Sequence, residues 1–236
     1  MFLATGRAAP EAAYFAQEAG CGVLAAALGG AVMCDAHTGA HLRRWDLPRE
    51  TGRRALELCL NREIVLMIFA GEAIVLDPYS KKLLMEHYPF PCFHDNAVVT
   101  EDPIAYLEEH DLPLTKLHGD GDPASYPLKE LAALEGVSLT ASSDRDFELV
   151  PAKVGKGRTL ALMSLLQGVP LERCAAVGDS PQRPVHAGGG GGPNRHGQRQ
   201  FPGEGGPPAW GGAHRPRGRG RGHPVVFSAE RVMLKH

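Results

Sequence analysis

Several classes of protein are excluded by what this sequence lacks. Its most apolar stretch, residues 21–33, is too short and too rich in glycine to cross a bilayer. It has no Cys-x-x-Cys pair, no His-Glu-x-x-His motif and no Gly-x-Gly-x-x-Gly turn after a strand, so neither a zinc site nor a dinucleotide site is indicated. No targeting segment is recognisable. The five scattered cysteines are typical of reduced thiols. We therefore expect a cytoplasmic protein with no membrane partner.

Net charge gives no general reason to expect a nucleic acid partner. The 236 residues carry 25 Lys and Arg against 27 Asp and Glu. The balance is uneven, however, because residues 182–224 contain seven Arg and one acid, Glu204. The same stretch contains 14 Gly and seven Pro, with no Leu, Ile, Met or Lys. Such a segment cannot bury enough apolar surface to offset its ordering entropy, so we expect a disordered tail over residues 182–236.

The N-terminal part of the chain has the pattern of a strand, a turn and a helix. Residues 2–4 are apolar and lead directly into Thr5-Gly6-Arg7. Residues 8–19 then predict a helix, with Pro10 in its first turn and Gly20 after its end. Because a domain rarely begins inside a central strand, we expect a segment upstream of Met1 to be missing.

A long α/β insert follows, and a second strand and turn come after it. Residues 31–150 alternate between strand and helix patterns, with hairpins predicted over residues 31–45 and 64–76. Residues 157–166 predict an amphipathic helix, and residues 174–177 predict a short strand that opens into Gly178-Asp179-Ser180. In an open α/β sheet, ligands bind at the carboxyl ends of the strands.

The residues at these strand ends suit phosphoryl transfer. That chemistry needs donors for the phosphoryl oxygens, a cation and carboxylates that hold Mg²⁺. The Thr5 hydroxyl and the Gly6 N–H are candidate donors, Lys156 is a candidate cation and Asp179 is a candidate ligand for Mg²⁺. Taken singly, each of these signals is more often a turn, a solvated lysine or a helix cap. Because they occur in this order around a large insert, the signals together favour a functional site more than each does alone.

As a set, these segments resemble the haloacid dehalogenase superfamily, and within it the Cof-like type IIB phosphatases. The resemblance covers residues 1–181 and rests on Phe2-Leu3-Ala4-Thr5-Gly6-Arg7, Val154-Gly155-Lys156-Gly157 and Ala175-Ala176-Val177-Gly178-Asp179-Ser180. It implies an α/β fold with a Rossmann-like core formed by residues 1–30 and 151–181. A large α/β cap, residues 31–150, is inserted between the two parts of that core.

The resemblance also implies an activity and roles for individual residues. The activity is Mg²⁺-dependent hydrolysis of small phosphorylated metabolites through an aspartyl-phosphate. Thr5 and Lys156 would be catalytic, Gly6 and Arg7 would bind the phosphate with them, and Asp179 would bind Mg²⁺. Lys153 is an alternative to Lys156, although its sequence context fits less well.

The sequence departs from the family pattern in two places. The family's nucleophile motif, Asp-x-Asp, lies upstream of the Thr motif, and no residue here matches it. The family also continues Gly-Asp-Ser-x-Asn-Asp, whereas Pro181 is followed by Gln182-Arg183. Dropping one base from permitted codons turns residues 182–187 into Asn-Asp-Leu-Ser-Met-Leu, which is what the family would show there. We therefore expect an impaired enzyme whose sequence is frameshifted after Pro181.

Two other interpretations of the tail remain open. It would be a solvated linker, or an RNA-binding segment built on the clustered arginines of residues 215–221. The alternative to an enzyme is thus a non-catalytic fragment that binds RNA through its tail. Few aromatic residues accompany these arginines, so nucleic acid is the less favoured partner.

Overall fold

The computed structural model describes residues 1–177, 183–184 and 230–234. In chain order its strands are β1 Phe2–Ala4, β2 Leu24–Ala27, β3 Val32–Asp35, β4 His41–Arg44, β5 Ile64–Ala70, β6 Ala73–Leu76, β7 Ala97–Val99, β8 Leu114–Gly121, β9 Val137–Ala141, β10 Asp146–Pro151, β11 Cys174–Val177, β12 Arg183–Pro184 and β13 Glu230–Leu234. Its helices are α1 Ala9–Glu18, α2 Arg49–Cys59, α3 Pro78–His87, α4 Pro91–His94, α5 Pro103–Glu109, α6 Leu128–Ala132 and α7 Lys156–Leu166. Within the described ranges, no helix is long and apolar enough to cross a membrane.

The first sheet carries the N-terminal segment. Its strand order is β11-β13-β1-β2-β3-β4, and among its described strands only β1 and β2 form a parallel pair. The helix α1 connects these two strands and corresponds to the helix predicted over residues 8–19. Proline stands in the first turn of α1, and the left-handed Gly20 (φ 62°) follows its end. The carboxyl ends of β1 and β2 consequently lie side by side.

The second sheet has two chemically different faces. Its strand order is β12-β9-β10-β8-β5-β6-β7. Alternate residues of β5, such as Ile64, Leu66 and Ile68, are buried in an apolar cluster with Leu56 of α2 and Leu131 of α6. The opposite face is directed toward the first sheet, where Phe69 joins the cluster that contains Leu3 and Ala12. One face of this sheet is therefore covered by helices, and the other packs against the first sheet.

Two segments of the structure bear on the predicted domain boundaries, which stay a prediction. A cap beginning at residue 31 would contain β3 and β4, yet β3 pairs with β2 over four residues of the first sheet. The elements of the second sheet begin after Arg44 instead. Backbone pairing causes this difference, because the hairpin continues the sheet that contains β1. Within the predicted disordered tail, the described residues form the short strands β12 and β13, and the other tail residues lie outside the described ranges.

The cysteines behave as reduced thiols. All five are free, and none but Cys92 is even partly exposed. Burial raises the pKa of Cys34 and of Cys59 to about 12, so these thiols are protonated at neutral pH. Their contribution is to packing rather than to chemistry.

Gly119 offers a test of the second sheet. A Cβ at this position of β8 would lie 2.3 Å from Cε1 of the fully buried Phe147 ring on β10. Gly119→Ala should therefore lower the free energy of unfolding by about 1–3 kcal/mol, measured by urea denaturation. Gly22→Ala is the matched control, because its nearest neighbour is the Met1 carbonyl oxygen at 3.5 Å. Equal stability of the two variants would contradict this packing.

Candidate functional site

Thr5 and Gly6 form a tight turn at the carboxyl end of β1. The Thr5 N–H donates to the Ala26 carbonyl at 2.8 Å, and the Thr5 carbonyl accepts from the Gly29 N–H at 2.9 Å. The Thr5 side chain is buried, with the residue only 4% exposed, and its Oγ1 accepts a hydrogen bond from the Arg7 N–H at 3.2 Å. Since a hydroxyl has one hydrogen to donate, that hydrogen remains for another acceptor.

The turn Leu28–Gly30 brings Lys156 to the same place. Gly30 has φ 96°, and a Cβ there would lie 2.5 Å from the carbonyl carbon of Gly155. The Thr159 hydroxyl donates to the Gly30 carbonyl at 2.7 Å, which fixes the first turn of α7 against these glycines. The backbone of Lys156 thus lies against the turn that also holds Thr5. Only a residue without a side chain permits this approach.

Lys156 differs clearly from its competitor Lys153. Lys156 is the first residue of α7 and is 7% exposed, and no described residue forms a hydrogen bond or ion pair with its ammonium group. Lys153 is exposed, has a left-handed backbone (φ 65°) and contributes only its carbonyl, which accepts from Arg158. An ammonium group with no partner among the described residues can take an anion beside it, because a charge-assisted contact with an anion is strong. This geometry favours Lys156 for the predicted role.

The Arg7 guanidinium is engaged away from the turn. It forms an ion pair with the buried Glu11 at 2.8 Å and a hydrogen bond with the Tyr88 hydroxyl. It also lies 4.6 Å from the centre of the Phe90 ring and 4.9 Å from that of Phe15. Burial, and next the Glu11 carboxylate, raise the pKa of Tyr88, which keeps its hydroxyl protonated. The side chain predicted to bind phosphate therefore joins α1 to the segment between α3 and α4. The backbone N–H of Arg7, in contrast, donates to Thr5 Oγ1.

Sequence reasoning missed a second group of charged residues beside Gly6. On β8, Lys116 donates to the Gly6 carbonyl at 3.0 Å and to Oε1 of Glu148 on β10 at 2.8 Å. Both side chains are buried, being 2% and 7% exposed. Burial alone would raise the pKa of Glu148, but Lys116 and His118 hold it well below its usual range. The alternation of polar and apolar residues over 116–120 carried the signal for this face.

A metal does not fit the His, Asp and Glu group on this face. Potential ligand atoms of His118, Asp146 and Glu148 lie within 4.8 Å of one another. However, Lys116 already neutralises Glu148, and Asp146 accepts hydrogen bonds from the backbone and hydroxyl groups of residues 142 and 143. Asp179, the predicted Mg²⁺ ligand, lies outside the described residues.

Two surface cavities lie away from the turn at Thr5. One, of about 140 Å³, is lined by residues of α2 and α5, including Arg53 and Leu107. The other, of about 380 Å³, lies between the end of α2 and the start of α3 and is lined in part by Arg62 and Tyr79. Neither contains a predicted site residue, so the chemistry of the side chains, and not cavity size, identifies the candidate site.

Comparison with solved structures shows the same fold. A haloacid dehalogenase-like hydrolase from B. subtilis is 17% identical, with a TM-score of 0.59 over 72% of this chain and 68% of that one. A sugar phosphatase of HAD subclass IIB is 15% identical, with a TM-score of 0.55 over 72% and 64%. A phosphatase of the HAD superfamily from Bacteroides thetaiotaomicron is 21% identical, with a TM-score of 0.54 over 72% and 60%. The chain thus spans only about two thirds of these proteins.

The comparison by family covers most of the chain. No curated protein matches significantly. The family described as haloacid dehalogenase-like hydrolase matches residues 1–182, which include both the Thr5 turn and Lys156. The chain therefore belongs to the haloacid dehalogenase-like hydrolases.

Proposed function

We propose that this chain is a cytoplasmic phosphatase-type protein that binds the phosphoryl group of a small phosphorylated metabolite at the Thr5 turn. The observation that carries the proposal is that two segments meet at one turn: one carries the buried Thr5 hydroxyl, and the other carries Lys156, whose ammonium has no partner among the described residues. Both are fixed against the turn Leu28–Gly30, at the carboxyl ends of parallel strands. A phosphoryl group supplies the acceptors and the negative charge that this pair lacks.

Each residue has a distinct part in the proposal. The Thr5 hydroxyl and the Gly6 N–H donate to phosphoryl oxygens, and the Lys156 ammonium neutralises their charge. Arg7 contributes through its backbone N–H, which holds the Thr5 hydroxyl oxygen. Asp179 holds Mg²⁺ when the ion is bound, and the ion supplies further charge neutralisation. One of the similar structures is a sugar phosphatase, which supports a small phosphorylated substrate.

The proposed turnover depends on a nucleophile for which residues 1–4 offer no candidate. The family resemblance implies attack by an aspartate on phosphorus, followed by hydrolysis of the aspartyl-phosphate. The residues that precede Thr5 are Met1, Phe2, Leu3 and Ala4, and none of them is a nucleophile. We therefore propose that a chain with only these residues before Thr5 binds phosphate but hydrolyses phosphoric monoesters poorly.

Phosphate binding tests the assignment of Thr5 and Lys156. Isothermal titration with inorganic phosphate should show at least about tenfold weaker affinity in Thr5→Val and in Lys156→Met, because each loses a buried charge-assisted contact. The controls are Thr51→Val on α2 and Lys153→Met, both of which should bind like the parent chain. Weaker binding by Lys153→Met than by Lys156→Met would reverse the assignment of the cation.

An assay with para-nitrophenyl phosphate tests the proposed loss of turnover. We expect release of nitrophenol near background, with and without Mg²⁺, because no carboxylate nucleophile precedes Thr5. Asp179→Ala should then make no difference. Robust turnover that depends on Mg²⁺ and is lost in Asp179→Ala would show that the impairment is wrong.

The gene sequence tests the proposed frameshift. The family match ends at residue 182, one residue after Pro181, which supports a change of reading frame there. We expect a one-base change near the Pro181 codon to restore an Asn-Asp pair directly after Gly-Asp-Ser-Pro. If no such change restores that pair when the DNA is read, the tail is encoded as such and the hypothesis fails.

A further inference from the structure

The peptide group between Gly6 and Arg7 is held at both of its ends. Its carbonyl oxygen accepts from the Lys116 ammonium at 3.0 Å, and its N–H donates to Thr5 Oγ1 at 3.2 Å. In a trans peptide, the carbonyl and the N–H point in opposite directions. The hydrogen bond from Lys116 to the carbonyl therefore fixes the direction of the N–H. That direction in turn determines whether the N–H can donate to Thr5.

Lys116 is itself fixed by the second sheet. Its ammonium contacts Glu148 across the paired strands β8 and β10, and both side chains are almost completely buried. Separating the two would leave an uncompensated charge in the interior, which costs far more than breaking an exposed pair. Lys116 cannot follow a shift of the turn without breaking this pair, so the second sheet holds the peptide rigidly.

The hydrogen bond to Thr5 has a consequence for ligand binding. The hydroxyl oxygen accepts from Arg7, so its own hydrogen is directed elsewhere. A rotation of the peptide would remove the donor and leave the hydroxyl free to turn. Lys116 is not placed to contact a ligand directly, because its side chain is only 2% exposed and two of its three N–H donors are engaged by Gly6 and Glu148.

We infer that Lys116 is a positioning residue for the phosphate site. Through the peptide between Gly6 and Arg7, it orients the Thr5 hydroxyl, so that the second sheet controls a donor on the first. The effect on ligand binding rests on the proposed function. The mechanical link between Lys116 and the Arg7 N–H does not.

Amide hydrogen exchange measures the link without any ligand. By NMR, the Arg7 N–H should exchange about tenfold faster in Lys116→Met than in the parent chain, because its hydrogen bond to Thr5 is weakened. The Thr5 N–H should be unaffected, since it donates to Ala26. Lys129→Met, which alters an exposed lysine of α6, is the matched control and should leave Arg7 exchange unchanged.

A double-mutant cycle measures the effect on binding. Lys116→Met should weaken the affinity for inorganic phosphate about tenfold in the parent chain but little in a Thr5→Val background, because the hydroxyl it orients is gone. A purely structural role would weaken binding equally in both backgrounds. Lys116→Met/Glu148→Leu repeats both measurements with the whole ion pair removed, in case Lys116→Met alone does not fold.

The outcomes separate the two proposals. Faster Arg7 exchange together with a non-additive cycle supports the inference. Unchanged Arg7 exchange in a folded variant, or additive losses of affinity, overturns it. If the parent chain does not bind phosphate, the proposed function fails, and the exchange rates alone still decide whether Lys116 holds the peptide.

Discussion

The close approach of two glycine-containing turns is the constraint on which the candidate site depends. Gly30 lies against the peptide that joins Gly155 to Lys156, at a distance no side chain could occupy. This contact places the start of α7 beside the carboxyl ends of β1 and β2, although Gly30 and Thr159, which share a hydrogen bond there, are 129 residues apart in the chain. This contact brings the backbone of Lys156 to the turn that also holds the backbone of Thr5.

The second sheet contributes to the site through the difference between its faces. Its apolar face buries large side chains under α2 and α6, and the hydrophobic effect on that side holds the sheet together. The other face can therefore carry a buried ion pair, which on its own gives little net stability. The role of Lys116 and Glu148 is then to fix the position of the Gly6 carbonyl rather than to stabilise the fold as a whole.

The helices and hairpins that depend on local sequence pattern could be predicted from the sequence. The helix predicted over residues 8–19 corresponds to Ala9–Glu18, and the hairpin predicted over 31–45 corresponds to β3 and β4. Local pattern does not reveal which sheet a hairpin joins, so the predicted boundary at residue 31 separates strands that pair. Lys116 and Glu148 are 32 residues apart and meet only when β8 and β10 pair, so no motif could show them. The Arg7 guanidinium donates to Glu11, one helical turn away, and to Tyr88, which is distant in the chain. The contact with Tyr88 likewise depends on the tertiary fold.

The location of the ion pairs bears on how the protein responds to ionic strength. Arg53 pairs with Glu57 and Glu108 on the exposed side of α2, where dissolved salt screens charges over about 8 Å at physiological concentration. The pair of Lys116 and Glu148 lies between the two sheets, out of reach of counterions. Rising salt should therefore weaken the ion pairs of Arg53 more than the contact of Lys116 with Glu148 and Gly6. The position of the Gly6 carbonyl should therefore depend little on ionic strength.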